Sequence, residues 1–289
     1  MTTVTHRQIE EVLTGMPTSD GAGVKLTRVF GGQDLARFDP FLMLDEFGSE
    51  EAQDYIGGFP PHPHRGFETV TYMLEGLMEH RDHMGNVGRL GPGGVQWMTA
   101  GSGVIHSEMP QQEEGRMRGF QLWVNLPAVE KMQPAGYDDI PATDIPRFTV
   151  DGVAIKAIAG SVNVNGQQVT GRVIGPSTDP VYLDLVFEQD AALDFALADG
   201  YTSLVYVYEG SATVTGTDYR LDKGKLARLG REGVLGLAAA AGSRVLLISG
   251  KPIGEPIVHH GPFVMNTEEE IYTAIQQYQA GTLVAQQGR

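Results

Sequence analysis

Two short motifs in the N-terminal half of the chain carry side chains that bind metal ions. The first is His62-Pro63-His64 and the second is His106-Ser107-Glu108. Because side chains alternate faces along a β-strand, the first and third residues of each motif point the same way and can share one ion. Two such pairs on neighbouring strands would give three histidines and one carboxylate. That set suits Fe(II), Mn(II), Ni(II), Cu(II), Co(II) or Zn(II), and spacing alone does not choose among them.

The surrounding sequence predicts the strands that such a site needs. Apolar residues alternate with other residues in segments 67–74, 95–99, 117–126, 181–187, 204–208 and 244–249, which is the period of a half-buried strand. Glycine accounts for 38 of the 289 residues, well above its usual share of about 7%, and this favours many tight turns between short strands. These patterns predict an all-β protein made of sandwiches or barrels.

One helix is predicted near the C-terminal end. Thr267 and Glu270 have the spacing of a capping box, and the acids between them suit the positive end of a helix dipole. Ile271 and Ile275 then fall on one face, and Gly281 is a plausible stop. We expect this helix to cover a barrel.

Composition limits the possible partners. The chain has 21 basic and 36 acidic residues, a net charge of −15, and no cysteine. An acidic surface disfavours direct nucleic-acid binding, and the lack of cysteine excludes disulfides, zinc–thiolate sites and thiol nucleophiles. Residues 1–11 have no apolar core of signal-peptide length, and the longest uncharged apolar run, 234–242, is far short of the roughly 20 residues of a membrane span. We therefore expect a soluble, cytoplasmic protein with no membrane partner.

An internal repeat predicts two copies of one β unit. The sequences LEG (74–76) and YEG (208–210) each end a strand, and RLGPG (89–93) and RLDKG (220–224) follow them. At equal distances from these landmarks, the second copy has Ala196, Ala198, Leu237 and Ala239 where the first copy has its four metal-binding residues. Residues 127–151 hold four prolines and predict a linker. We accordingly predict an N-terminal metal-binding domain at 1–135 and a C-terminal domain without metal ligands at 136–289.

Three segments resemble the pirin family of two-domain cupins. They are residues 58–70 (GFPPHPHRGFETV), residues 91–110 (GPGGVQWMTAGSGVIHSEMP) and residues 261–266 (GPFVMN). The resemblance implies two tandem cupin barrels, of the double-stranded β-helix or jelly-roll type, with a short C-terminal helix. It also implies one metal ion, usually iron, in the N-terminal barrel, with His62, His64, His106 and Glu108 as ligands.

The carboxylate in this set departs from the ordinary cupin pattern, in which a glutamate of the first motif completes the site. That residue would be Glu68. At about 3.3 Å per residue, Glu68 and His64 lie roughly 13 Å apart along an unbroken strand, so Glu68 would need a bulge to reach the ion. Glu108 is therefore preferred.

The resemblance implies two functions of different classes. Some pirins are similar to quercetin 2,3-dioxygenases, which open a flavonol ring with O₂ and release carbon monoxide. In that case the partners are a small aromatic, flavonol-like substrate and O₂, and Glu108 is the catalytic residue that takes the proton of the 3-hydroxyl. Pirins are also known as iron-binding regulators of transcription or metabolism that act through protein partners. The dioxygenase is the preferred hypothesis.

Other polar residues are predicted to serve the fold. His80 and His83 lie three positions apart and so face opposite sides of a strand, which favours surface or supporting positions. His259 and His260 are adjacent and are interpreted as structural or solvent-facing. Arg65 is interpreted either as a substrate-orienting group or as part of a salt bridge at the barrel mouth.

Overall fold

The computed structural model describes residues 5–284, so the first four residues of the 1–11 segment lie outside it. Within that range the chain forms 26 β-strands, one α-helix and two short 3₁₀ helices. All six segments predicted as strands from their alternation are strands, with bounds that agree to within two residues. The all-β prediction is confirmed.

In chain order the strands are β1 (Ile9–Thr14), β2 (Met16–Asp20), β3 (Val24–Phe30), β4 (Phe41–Ser49), β5 (Phe59–His64), β6 (Phe67–Glu75), β7 (Met78–Asp82), β8 (Val87–Leu90), β9 (Val95–Thr99), β10 (Val104–Pro110), β11 (Met117–Asn125), β12 (Gly136–Ile140), β13 (Arg147–Val150), β14 (Val153–Ala159), β15 (Ser161–Val164), β16 (Gln167–Thr170), β17 (Val181–Phe187), β18 (Ala191–Ala196), β19 (Thr202–Glu209), β20 (Ser211–Val214), β21 (Arg220–Asp222), β22 (Lys225–Leu229), β23 (Leu235–Ala239), β24 (Arg244–Gly250), β25 (Val258–His260) and β26 (Phe263–Met265). The helix α1 spans Glu268–Gln279, and the 3₁₀ helices span Leu35–Phe38 and Ala52–Asp54.

The described chain divides into two compact units, each made of two separate segments. The first barrel comprises residues 16–143 and 253–284, and the second comprises residues 5–15 and 144–252. The sequence predicts contiguous domains at 1–135 and 136–289 instead. The observed units differ from these predicted domains for two reasons. Strand β1 pairs with β22 in the second barrel, and residues 253–284 belong to the first barrel. Pairings over such sequence distances leave no local pattern.

The first barrel pairs the sheet β12-β9-β6-β11-β4-β3-β2 with the sheet β5-β10-β7-β8, and β25 and β26 form a separate two-stranded sheet in the same unit. Strand β5 contains Pro60, Pro61 and Pro63 and lies at the edge of the four-stranded sheet. Proline cannot donate to a strand ladder, so an edge is where such a strand fits. The position beside β10 brings His62 opposite His106.

The C-terminal segment is anchored next to the metal-binding motif. Arg65 forms a parallel bridge with Phe263 of β26. Gly66 has a positive φ, and a Cβ there would collide with the carbonyl oxygen of Val264, so only glycine permits this approach. The buried Lys131 ammonium donates to the carbonyl oxygens of Gly66 and Val264, at 2.7 and 3.0 Å. These contacts fix β26 against the end of β5.

The predicted C-terminal helix and its capping box are confirmed. The Thr267 hydroxyl accepts from the Glu270 backbone N–H, and the Glu270 carboxylate accepts from the Thr267 backbone N–H. Ile271 is buried and packs with Phe263 and Met265 of the preceding hairpin. No helix within residues 5–284 is long and apolar enough to cross a membrane.

The second barrel pairs the sheet β1-β22-β19-β24-β17-β14-β13 with the sheet β16-β15-β18-β23-β20-β21. Inward residues from both sheets form one continuous apolar cluster. Strand pairing identifies the counterparts of the metal-binding motifs. Val214 follows Gly210 by four residues, as His80 follows Gly76, and Leu237 lies opposite Val214 as Glu108 lies opposite His80.

This pairing corrects the counterparts predicted from equal offsets. Leu235 and Leu237 occupy the places of His106 and Glu108, and Phe195, opposite Leu235, occupies that of His62. Residue 197, a leucine, then matches His64. The offsets gave Ala196 and Ala198, which are exposed, because a one-residue error on a strand changes the face. The four true counterparts are all buried members of the apolar cluster.

Candidate metal centre

Three of the four predicted ligands converge in the first barrel. Nitrogen atoms of His62, His64 and His106 lie within 4.8 Å of one another, close enough for one metal ion. The His106 ring centroid is 4.4 Å from that of His62 and 5.0 Å from that of His64. Two neighbouring antiparallel strands produce this arrangement, β5 with alternate residues and β10 with the residue opposite.

Glu108 lies further along β10, beyond an irregularity in the β5–β10 register. His106 pairs with His62, but Glu108 pairs with Phe59. The carboxylate is 5% exposed and lines the same cavity as His62 and His64. Its Oε1 is 3.1 Å from the Thr71 hydroxyl. Glu108 is outside the three-histidine group, so its service as a ligand stays a prediction.

Glu68, the alternative carboxylate, has a different environment. Its Oε1 accepts a hydrogen bond of 2.7 Å from the Thr99 hydroxyl, and it does not line the cavity of the histidines. Burial raises the pKa of the Glu68 carboxyl, and hydrogen bonds from Thr99 and Trp97 oppose that rise. The Trp97 bond falls outside ordinary hydrogen-bond geometry, since both the indole N–H and Glu68 Oε2 are buried without a partner.

Two of the three histidines, His64 and His106, are suited to bind a cation because burial favours their neutral form. Burial lowers the pKa of His106 well below its usual range, and the nearby His64, His62 and His80 lower it further. Burial likewise lowers the pKa of His64, helped by His62 and opposed by the Pro262 carbonyl, although His64 Nδ1 has no hydrogen bond of ordinary geometry. Neutral imidazole is the form that ligates metals.

Hydrogen bonds also select the nitrogen that each ring can offer. His62 Nδ1 is 2.8 Å from the Pro60 carbonyl oxygen, so it carries the proton and Nε2 keeps a lone pair. His106 Nε2 is buried and has no hydrogen-bond partner among the described residues. A buried polar atom without a partner is costly, and a metal ion would satisfy it. The donor set therefore fits a divalent transition metal.

His80 lies against His106, in the supporting position that was one of the two predicted for it. It is 2% exposed, and its Nε2 lies 3.2 Å from His106 Nδ1. Its Nδ1 lies 2.8 Å from Gln96, whose amide nitrogen is 2.7 Å from Asp139 Oδ1. His83 instead contacts the backbone of Ile105. The two histidines thus differ as their spacing predicts.

A cavity of about 640 Å³ opens beside the histidines. Its wall combines aromatic side chains with a few polar groups, namely Phe47, Phe59, Trp123, Arg28, Asp45, Thr71, Gln121 and His259. Arg28 and Asp45 form a bidentate ion pair with hydrogen bonds of 2.9 and 2.8 Å. A mostly apolar concavity with a few convergent polar groups is typical of a small-molecule site.

The structure changes two assignments made from sequence and adds a residue that sequence analysis missed. His259 was interpreted as structural or solvent-facing, but it lines the cavity, where its ring lies edge-on to Trp123. Arg65 does not line the cavity. Its guanidinium donates to Ser102 O and Gln277 Oε1, at 2.6 and 2.7 Å, so it is an anchor and not a substrate group. Trp123 alternates with apolar neighbours on β11, and this parity could have placed it on the cavity face.

The fold and the site define the class of this protein. It is a bicupin whose first barrel carries a histidine cluster beside a cavity. The family model for pirin matches residues 23–124, and the model for the pirin C-terminal cupin domain matches residues 182–284. The chain belongs to the pirin family.

Known proteins resemble nearly the whole chain. It is 56% identical over 280 residues to a protein of Pseudomonas aeruginosa named "Putative quercetin 2,3-dioxygenase", covering 96% of this chain and 98% of that one. It is 41% identical over 265 residues to rat pirin, covering 90% and 88%. A crystal structure of quercetin 2,3-dioxygenase from Acinetobacter baumannii superposes with a TM-score of 0.87 at 34% identity, covering 98% of this chain and all of that one.

Proposed function

We propose that this protein is a metal-dependent dioxygenase that opens a flavonol-type ring with O₂. The observation that carries the proposal is the three-histidine cluster at the wall of a cavity of about 640 Å³. This volume lies inside the roughly 300–1,000 Å³ of ordinary ligand sites. The names of the Pseudomonas and Acinetobacter relatives support the same activity.

His62, His64, His106 and Glu108 would hold the metal, which we propose to be Fe(II). A bound metal lowers the pKa of a hydroxyl that reaches it and provides a place for O₂. Imidazole and carboxylate donors suit iron, and manganese, nickel, copper, cobalt and zinc accept the same set.

The cavity wall supports a flat aromatic substrate. Trp123, Phe47 and Phe59 supply ring faces and edges, and such contacts stabilise aromatic ligands by stacking. The Arg28–Asp45 pair and His259 add polar groups for hydroxyl substituents. The position of Glu108 on the same wall would let its carboxylate accept the proton of the substrate 3-hydroxyl.

The reaction balances with O₂ as its only co-reactant. Two ring bonds of the carbon that bears the 3-hydroxyl break, and that carbon leaves with its oxygen as carbon monoxide. Both atoms of O₂ remain in the ring-opened ester. No separate reductant is required, which agrees with a cavity that needs to hold only one organic molecule.

The test uses the purified protein, stripped of metal and reloaded anaerobically with Fe(II). Quercetin should change its absorbance on binding, and admission of air should consume it with release of carbon monoxide. The same assay with Mn, Ni, Cu and Co identifies the metals that support turnover. Glu108→Gln should lose turnover, while Glu68→Gln is the matched control and should keep it. Binding without turnover under every metal would overturn the dioxygenase and favour a regulatory role.

A further inference from the structure

Glu108 contacts Thr71, which in turn contacts Gln121, and the proposed chemistry gives neither of these two residues a role. Thr71 on β6 places its hydroxyl 3.1 Å from Glu108 Oε1 and 2.6 Å from the side-chain oxygen Oε1 of Gln121 on β11. All three side chains line the cavity. Thr71 is 2% exposed.

The proton count fixes the direction of these hydrogen bonds. A hydroxyl has one proton and can donate to only one acceptor. Glu108 as a metal ligand is a carboxylate, which only accepts. Rotation of the Gln121 amide by 180° exchanges its nitrogen and oxygen with almost no change of shape, so either atom can face the Thr71 hydroxyl. The arrangement that satisfies every atom has the Gln121 N–H donating to Thr71 and the Thr71 O–H donating to Glu108.

We propose that Thr71 and Gln121 are positioning residues for the carboxylate and the substrate. Thr71 holds Glu108 Oε1, so the second oxygen of Glu108 is left for the metal and for the substrate proton. Gln121 holds Thr71 through its nitrogen and keeps its amide oxygen as an acceptor for a hydroxyl group on a ring in the cavity. This inference rests on the proposed function, because it takes Glu108 as a ligand.

Metal affinity tests the role of Thr71 without any turnover. The dissociation constant and the visible absorption spectrum of bound Co(II) are measured by titration of the metal-free full-length protein. Thr71→Val should weaken Co(II) binding about 10-fold, the lower end of the effect of losing a partner of a ligand, and should shift the spectrum. Thr71→Ser restores the hydroxyl and should bind within about 3-fold of wild type, since the hydrogen bond survives.

Thr69→Val is the matched control for Thr71→Val. Thr69 lies two residues earlier on β6 and is buried, but it does not line the cavity. The control should leave both the Co(II) affinity and the spectrum unchanged. Equal effects of the two valine variants, or no effect of Thr71→Val, would overturn the role of Thr71.

Gln121→Leu tests the orientation of the amide by the sign of its effect. In the proposed direction the variant removes a donor to Thr71, so Co(II) binding weakens or stays level. Quercetin binding to the metal-loaded protein under nitrogen weakens about 10-fold, as expected for one lost hydrogen bond. In the opposite direction the variant would release the Thr71 proton for Glu108, and tighter Co(II) binding would refute the proposal.

Glu108→Gln separates this inference from the proposed function. If Glu108→Gln keeps the wild-type Co(II) affinity, Glu108 is not a ligand and the proposed ligand set fails. If Glu108→Gln loses Co(II) while Thr71→Val and Gln121→Leu leave all binding unchanged, the ligand set stands and only the positioning roles fail.

Discussion

In the first barrel His106 belongs to a histidine cluster and Glu108 lines the cavity beside it, whereas at the same strand positions of the second barrel Leu235 and Leu237 pack into a continuous apolar core. The same contrast holds across the neighbouring strand, where His62 faces His106 and Phe195 faces Leu235. One strand plan thus accommodates either a polar site or a solid core. The side chains at four equivalent positions differ in the same sense.

The comparison also shows what a polar interior requires. Several polar groups around the histidine cluster lie against another polar group. His80 lies against His106, Thr71 contacts Glu108, and the Pro60 carbonyl accepts from His62. At the equivalent position of the second barrel Val214 replaces His80 and packs in the apolar cluster, so no such contact is needed there. A metal site in a barrel therefore depends on more residues than its ligands.

The largest expected effect comes from placing a carboxylate in the second barrel. Leu237→Glu introduces a glutamate at the position equivalent to Glu108. Its carboxylate would lie in an apolar cluster without a polar partner. An isolated buried polar group of this kind should lower the free energy of unfolding by about 4 kcal/mol or more. Urea denaturation measures the change.

Two controls sharpen this test. Leu237→Met keeps the volume and should cost less than about 1.5 kcal/mol. Glu108→Leu in the metal-free protein makes the reverse exchange and should cost little, because the cavity already excludes close packing there. A loss of stability from Glu108→Leu as large as that from Leu237→Glu would mean that the two barrels do not differ as described.

The next largest effect concerns the four proposed metal ligands of the first barrel. His106→Ala or Glu108→Gln should weaken Co(II) binding by roughly 100-fold or more, exceeding the 10–100-fold loss that follows removal of an outer partner. Glu68→Gln should change it less than about 3-fold, because Glu68 lies outside the cavity and bonds to Thr99. Isothermal titration or competition with a coloured chelator measures both. Equal losses from the two glutamine variants would restore Glu68 as a ligand.

The sequence predicted the convergence of the histidines because strand alternation is local and strict. The period of two places His62 and His64 on one face of a strand, while the pairing with His106 was inferred from the similarity of the two motifs. The capping box at Thr267 was equally local, and the helix begins as its sequence indicates. Features set by neighbouring residues along the chain are therefore the ones that sequence analysis recovers.

Features set by distant contacts were missed. The return of the C-terminal segment brings His259 into the cavity wall, and no spacing within 259–261 indicates this. Residue offsets could not match His62 with Phe195, because loops of different length shift the register and one residue changes the face. The buried position of His80 involves contacts with Gln96 and, through it, Asp139, which belong to two other strands.

The smallest expected effect is a dependence of stability on pH that belongs to the first barrel. Burial lowers the pKa of His64 and of His106 well below their usual range. In the unfolded chain both histidines have a pKa of about 6.5. Below that pH the unfolded state binds more protons than the native state, so the stability of the metal-free protein falls as the pH falls. Above it both states are neutral and the contribution is level.

Each of these histidines should lower the free energy of unfolding by about 1 kcal/mol between pH 6.5 and 5.5, giving a total of about 2 kcal/mol. Urea denaturation of the metal-free protein at the two pH values measures the change. His106→Leu, which copies Leu235 of the second barrel, should remove about half of it. Leu235→His should increase it by a similar amount, because it gives the second barrel a buried imidazole that must stay neutral. A pH dependence unchanged by either variant would place the titrating groups elsewhere in the chain.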